Sequence, residues 1–210
     1  MTRTKAQEQE RLRALFAYER ELHAAGLRVI VGVDEVGRGP LAGPVSAAAC
    51  VLDAAVEIPY LNDSKRVSEH RREELADLLR QSARAYQVSH VEASVIDEAG
   101  IMAALKQAMR AAVAGIGLEP DLVLLDGRPL RLWSCEEAIV KGDGKVACIA
   151  AASILAKVER DELMRRADRD YPGYGFTRNK GYGSPEHIAA IRERGLCPLH
   201  RRSFCGDFVD

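Results

Sequence analysis

No apolar stretch approaches the roughly 20 residues that a membrane-spanning helix requires, so an integral helical membrane protein is excluded. The opening segment MTRTKAQEQERLRALF is charged where a secretory signal would be apolar, and a cytoplasmic location is expected. Neither sign of charge is in excess. Thirty Lys and Arg against 31 Asp and Glu leave a formal net charge of -1, which argues against nucleic-acid binding through bulk electrostatics but leaves room for a local patch. From Arg178 to Arg202 six cations face two acids, a balance of +4 that taken alone describes a solvated surface. The five cysteines (50, 135, 148, 197 and 205) are odd in number, widely spaced and without a C-x-x-C pair, so reduced thiols are expected rather than a disulfide framework. Cys197, His200 and Cys205 offer three zinc ligands, but no convincing fourth stands nearby. Repeats, low-complexity tracts and long linkers are missing too. One domain with a small appendage is the expectation for 210 residues, a length at which folding removes roughly 70% of the chain's surface from water.

What is present reads as alternating strands and helices. Residues 6–25 carry Leu12, Leu15, Phe16 and Leu22 at helical spacing and stop at Gly26. VIVGV, leading into Asp34, and VSAAACVL over 45–52 read as two adjacent strands with Gly and Pro between them. Ser68 caps a helix to about Ala83, and YQVSHV (86–91) reads as a strand. A helical region over 94–116 breaks near Gly100, and DLVLLDG (121–127) is a buried strand ending on an acid. EAIV (137–140) precedes a long helix from about Lys145 to Arg169, and Ser184-Pro185-Glu186 starts a helix that Gly195 ends. This order predicts an α/β domain with a mixed central sheet.

The acids at strand ends carry the chemistry. A carboxylate at the end of a buried strand is costly to hold unless it is solvated, paired or bound to a cation. Asp34 and Glu35 follow one apolar run, Asp126 ends another, and Asp143 sits in the Gly142-Asp143-Gly144 turn before the long helix. Any one of them could simply cap a turn. Four carboxylates from separate elements suit a hard cation, Mg²⁺ or Mn²⁺, better than zinc. Because Asp34 and Glu35 are consecutive, a regular strand sends their side chains to opposite faces, so either the strand is bulged or Glu35 contributes through its carbonyl. Gly37-x-Gly39-x-x-Ala42 superficially matches a dinucleotide fingerprint, but Pro40, Pro44 and a following strand leave no helix N-terminus for a pyrophosphate. A nicotinamide-dependent oxidoreductase is therefore disfavoured.

The segment GVDEVGRGPLAGPVSAAACVL (32–52) closely resembles the signature of bacterial ribonuclease HII. The resemblance continues through LNDSKRVS (61–68), DLVLLDG, EAIVKGDGKVACIAAASILAKVERDELM (137–164), YPGYGF (171–176), NKGYGS (179–184) and LHRRSF (199–204). It covers nearly the whole chain beyond residue 28, with small departures from the family pattern at Gly144 and Ala147-Cys148, none of which replaces one of the four acids. It implies a ribonuclease H-like α/β fold, with a mixed sheet of about five strands flanked by helices and a small helical C-terminal portion. The expected division is an N-terminal helix (1–28), a catalytic domain (29–170) and a C-terminal substrate-binding portion (171–210). The implied activity is an endonuclease that cuts RNA within RNA-DNA hybrids and incises duplex DNA at single ribonucleotides.

Carried over residue by residue, the resemblance makes Asp34, Glu35, Asp126 and Asp143 the catalytic set, holding two ions of Mn²⁺ or Mg²⁺ with Asp34 bridging them. Cleavage of that kind leaves a 5′-phosphate and a 3′-hydroxyl. The resemblance also implies that Gly37, Arg38 and Gly39 sense the ribose 2′-hydroxyl and that Asn62, Ser64 and Lys65 meet DNA phosphates. Tyr182, flanked by Gly181 and Gly183 in a flexible loop, reads as an exposed ring able to stack on a sugar. A monomer acting on hybrid or ribonucleotide-containing duplex is expected. The rival is a hybrid-binding module whose acids are structural, and divalent-ion dependence of cleavage separates the two.

Overall fold

The apolar runs VIVGV and VSAAACVL become neighbouring inner strands of one sheet. In the computed structural model, which describes residues 4–53 and 58–209, the sheet has the strand order β3-β2-β1-β4-β5. Its members are β1 (Ile30–Val36), β2 (Val45–Val51), β3 (Ala85–Val91), β4 (Leu122–Asp126) and β5 (Glu136–Ile139). β1 pairs antiparallel with β2 and parallel with β4, while β2-β3 is antiparallel and β4-β5 parallel. The mixed five-stranded sheet is the one expected. β1 runs through the Gly37-Arg38-Gly39 turn into a strand and not into a helix, so the dinucleotide fingerprint lacks the helix start it needs.

The helices are α1 (Lys5–Leu15), α2 (Ala17–Ala24), α3 (Glu69–Ser82), α4 (Ala93–Ala99), α5 (Ile101–Gly115), α6 (Ala147–Asp170), α7 (Phe176–Asn179) and α8 (Pro185–Arg194). Two differ from the sequence expectation. The single helix read over 6–25 is two, divided at Phe16, a buried ring that ends α1 and starts α2. The long helix begins at Ala147 and not at Lys145, because Gly142–Gly144 form a 3-10 turn that carries Asp143. Among the described residues no helix is long and apolar enough to cross a membrane.

Alternation along β1 divides the core into two layers. Ile30 packs with Leu124, Cys148 and Ile149 on the α6 side, where α1, α2 and α3 also contribute. Val31 and Val33 pack with Leu105, Met109 and Leu125 on the α5 side. Gly32 is needed on the α6 face, since a Cβ there would lie 2.2 Å from the carbonyl carbon of Cys148. Small buried residues on α6, Ala147, Ala150, Ala151 and Ala152, let that helix lie directly on the strand. A third, smaller cluster joins Tyr174, Phe176, Ile191 and Cys205 of the C-terminal segment to Met164 and Ala167 at the far end of α6.

Candidate carboxylate metal centre and its rim

Strand register brings the acids together. β1 and β4 are parallel neighbours with Val33 opposite Leu125, so Asp34 and Asp126 are the next residue on each strand. Leu124 belongs to the α6 side of the sheet, and Asp126, two residues on, leaves β4 toward the same side. The 3-10 turn before α6 adds Asp143. Ligand oxygens of Asp34, Asp126 and Asp143 lie within 4.8 Å of one another. The backbone fixes two of them: Glu35 N-H donates to Asp34 Oδ1 at 2.7 Å, and Gly142 N-H donates to Asp126 Oδ1 at 2.6 Å.

The cluster is electrostatically strained. Burial pushes Asp34 well above its ordinary pKa; the Glu35 and Asp126 carboxylates add to this, and a hydrogen bond from Ser153 opposes it. Burial also raises Asp143, with Asp126 and Asp63 acting in the same direction and Lys65 against it. Lys65 Nζ stands 3.9 Å from Asp143 Oδ2 on a largely solvated side chain. Burial lowers the Lys65 amine, yet Asp143, Asp34, Asp63 and Asp126 together raise it. Three crowded carboxylates without an imidazole or thiolate form an oxygen-only donor set suited to a hard divalent cation.

Glu35 stands apart from this trio. β1 carries no bulge there, with Asp34 opposite Ala48 and Glu35 opposite Ala47, so their side chains leave by opposite faces. Glu35 looks toward α5, into a cleft of about 600 Å³ shared with Arg38, Met102, Leu105, Asp126 and Leu130. Burial raises its carboxyl, and Arg38 Nη1, 3.4 Å away, opposes the shift.

The remaining predicted residues form a rim. Gly37 is pressed against Arg160, with φ of +88° and no room for a Cβ, whereas Gly39 faces open space. Asn62 accepts from the Asp63 amide, and Asp63 in turn caps the short turn 64–66. Ser64 points inward: its hydroxyl hydrogen-bonds that of Ser153 at 2.9 Å, beneath Asp34. Tyr182 is 44% exposed, so its ring is available to solvent. Its loop is tied to the chain just beyond the glycine turn, since Leu41 and Ala42 both donate to the Gly181 carbonyl.

Several residues that build the site escape the sequence reading. Arg160 and Arg201 are fully buried, and their guanidiniums donate to backbone carbonyls. Arg160 holds Pro44, Ala42 and Lys180. Arg201 holds Gly43, Arg38 and Gly37, at distances down to 2.6 Å. Burial and the neighbouring Arg160 bring the Arg201 pKa down to about 10, so it stays charged at neutral pH. The available signal is a cation on the buried stripe of α6, four residues from both Ala156 and Met164. Glu19 of α2 accepts from the amides of Ala147 and Cys148 and so caps α6, which has no side-chain cap of its own. Burial raises the Cys50 and Cys148 thiols, leaving them protonated. His200 uses both ring nitrogens in hydrogen bonds, so Cys197, His200 and Cys205 do not converge on a metal.

A mixed sheet that delivers acids from two parallel strand ends and a helix start to one point, beside a basic rim, defines a metal-dependent nuclease of the ribonuclease H-like class. The sequence model of the ribonuclease HII family matches residues 31–206, and the chain belongs to that family. It is 48% identical over 193 residues to a ribonuclease HII of Acetivibrio thermocellus, covering 91% of this chain and 75% of that protein. The ribonuclease HII of Geobacillus thermodenitrificans is 50% identical over 195 residues, covering 93% and 75%. Among solved structures, ribonuclease H2 from Pyrococcus horikoshii OT3 superposes with a TM-score of 0.72 at 27% identity, covering 83% of this chain and 92% of that one. The chain is accordingly a ribonuclease HII-type, metal-dependent endoribonuclease acting on RNA-DNA hybrids.

Proposed function

We propose that the chain also incises duplex DNA at single embedded ribonucleotides, leaving a 5′-phosphate and a 3′-hydroxyl, with Mg²⁺ or Mn²⁺ as cofactor. The observation that carries this reading is the junction of the acid cluster with the rim: Asp34 and the Gly37-Arg38-Gly39 turn are separated by only two residues, and the Tyr182 loop is bonded to Leu41 and Ala42 just beyond that turn. A sugar read there lies beside the scissile phosphate.

Asp34, Asp126 and Asp143 would hold the first ion, and Glu35, which shares a cleft with Asp126, would complete the set for a second. Divalent ions so held supply Lewis acidity, activating a water and stabilising the departing 3′-oxygen. The chain's own groups orient the substrate. Gly39 lets backbone approach the 2′-hydroxyl, Tyr182 offers a ring to the sugar, and Asn62 and Lys65 meet phosphates of the DNA strand. Ser64, bonded to Ser153, lies beneath Asp34 and supports that acid.

The test is duplex DNA carrying one ribonucleotide, incubated with and without Mg²⁺ or Mn²⁺, with the cut and its end groups mapped. Metal-dependent incision at the ribonucleotide, leaving 5′-phosphate, is expected; binding without cleavage in either metal would overturn incision at single ribonucleotides. On the same substrate, Tyr182→Phe should lose a modest factor, consistent with one hydrogen bond of about 0.5 to 1.5 kcal/mol, and Tyr182→Ala considerably more.

A further inference from the structure

Two histidines that play no part in the reaction described above meet in the C-terminal cluster. His187 Nε2 and His200 Nε2 lie 3.1 Å apart, with the side chains 0% and 2% exposed. The outer ends of the pair fix every proton. The Cys197 amide directs its N-H at His200 Nδ1, 2.9 Å away, and because a backbone amide only donates, that nitrogen is unprotonated. The Cys197 carbonyl is also 3.3 Å from Nδ1, but it already accepts from the His200 amide at 3.0 Å. A neutral His200 then carries its proton on Nε2 and donates it to His187. At the other end His187 Nδ1 lies 2.8 Å from the Tyr182 carbonyl, which only accepts, so His187 is protonated on Nδ1 and its Nε2 accepts. The two assignments agree. Donors run one way, from the Cys197 amide through His200 and His187 to the backbone of Tyr182, with both rings neutral. Burial lowers both pKa values, that of His200 to about 4 with His187 contributing, so the neutral pair persists at physiological pH. Tyr174 and Phe176 hold the rings in place, at centroid distances of 4.9 Å to His200 and 5.4 Å to His187.

The chain of donors ends on the residue whose ring is exposed. Tyr182 lies between Gly181, at φ +84°, and Gly183, so its ring direction depends on how its backbone is held. Among the described residues its carbonyl accepts, besides His187, only from the Ser184 amide, a contact within the same turn. We propose that His187 and His200 are positioning residues that orient the Tyr182 ring for recognition of a single ribonucleotide. This rests on the reading of Tyr182 as a sugar contact.

The test is a double-mutant cycle. His187→Leu is made alone and together with Tyr182→Ala, and kcat is measured on the single-ribonucleotide duplex and on a hybrid, alongside thermal unfolding. His187→Leu is expected to lower kcat on the single-ribonucleotide substrate by about threefold to tenfold, to affect the hybrid less, and to cost nothing further once Tyr182 is Ala. His187→Asn, which keeps a donor near the Nδ1 position, should recover part of the loss. Equal losses on both substrates and in both backgrounds would overturn the proposal, since a purely structural pair lowers everything together. If His187→Leu does not fold, His200→Asn enters the same cycle. It keeps an acceptor for Cys197 but withdraws the Nε2 proton, and a loss of about twofold to fivefold, absent with Tyr182→Ala, is expected. Tyr182→Ala alone separates the two ideas. No loss there overturns the sugar contact, whereas a loss there with an unchanged His187→Leu rate overturns the relay.

Discussion

At the acid cluster, position follows from regular structure: Asp34 and Asp126 continue two paired parallel strands, and Asp143 sits in the turn that opens α6. A few residues away, the segments 37–44 and 180–182 lie outside the five-stranded sheet, the first held by an isolated bridge from Ala42 to His200, and six of their carbonyls are taken up by the buried guanidiniums of Arg160 and Arg201. One half of the site is therefore specified by local pattern and alternation, the other by polar anchors that reach it from distant sequence. Damage to the first should remove chemistry and spare the fold. Damage to the second should cost stability and substrate discrimination while leaving the acids in place.

The sharpest contrast comes from Asp126→Asn. The amide keeps the shape and can still accept from Gly142 N-H, but it withdraws one of three charges from the ligand set. A loss of several kcal/mol of transition-state stabilisation corresponds to about three orders of magnitude in turnover at saturating Mg²⁺. The unfolding midpoint should be unchanged or slightly higher, because repulsion within the cluster is relieved. Single-turnover cleavage with parallel denaturation checks both halves, and near-normal turnover would remove Asp126 from the centre.

Arg201→Met is the complementary break. It strips the donors from the Gly37, Arg38 and Gly43 carbonyls, leaving those of Gly37 and Gly43 buried without this partner, at an expected cost of about 3 to 5 kcal/mol in urea unfolding. Metal-induced stabilisation, which reports on the acids, should survive at the temperature where the variant is folded. If it disappears along with the lost stability, the two halves are not separately built.

Glu19 tests the boundary between them, since it anchors α6 from outside the sheet. Burial raises its pKa from the ordinary 4.5 to about 7, against the opposing hydrogen bonds from Cys148 and Ala147. A raised folded-state pKa means that the stability linked to this carboxyl is fully present below about pH 4.5 and is lost as pH climbs through 7. The span is about 3 kcal/mol. Glu19→Gln keeps an acceptor for the α6 amides without the titration. The wild type should therefore lose stability relative to the variant between pH 5 and 8, and parallel curves would show that Glu19 does not titrate in that range.

The same division explains what the sequence discloses. Asp34, Asp126 and Asp143 are legible because each closes an apolar run or sits between glycines, and the opposite facing of Asp34 and Glu35 follows from strand alternation alone. Arg160, Arg201 and the His187-His200 pair are not, because their partners are backbone carbonyls and rings that only the folded chain brings near. Arg201 lies 164 residues from Gly37, and Glu19 lies 128 from Ala147. Ser64 illustrates the limit: the resemblance puts it with Asn62 and Lys65 among the phosphate contacts, but in the turn capped by Asp63 it faces inward to Ser153.

The smallest expected effect concerns Lys65, which lies where the two halves meet. Its side chain is 83% exposed and 3.9 Å from Asp143, so it can serve either as a counter-charge to the cluster or as a contact for substrate phosphate. The chain is nearly neutral overall, and log affinity for duplex should fall only shallowly with log salt, reflecting about 3 to 5 phosphate contacts. If Lys65 meets a phosphate, Lys65→Ala weakens binding and flattens the slope by about 0.9, the contribution of one contact. If it only balances Asp143, the slope stays as it was, and the variant shows its effect in the dependence of cleavage on metal concentration. Titrations at several salt concentrations, with Asp126→Asn as the non-cleaving background, decide between the two. An unchanged slope assigns Lys65 to the acid cluster and leaves the rim to Arg38, Asn62 and Tyr182.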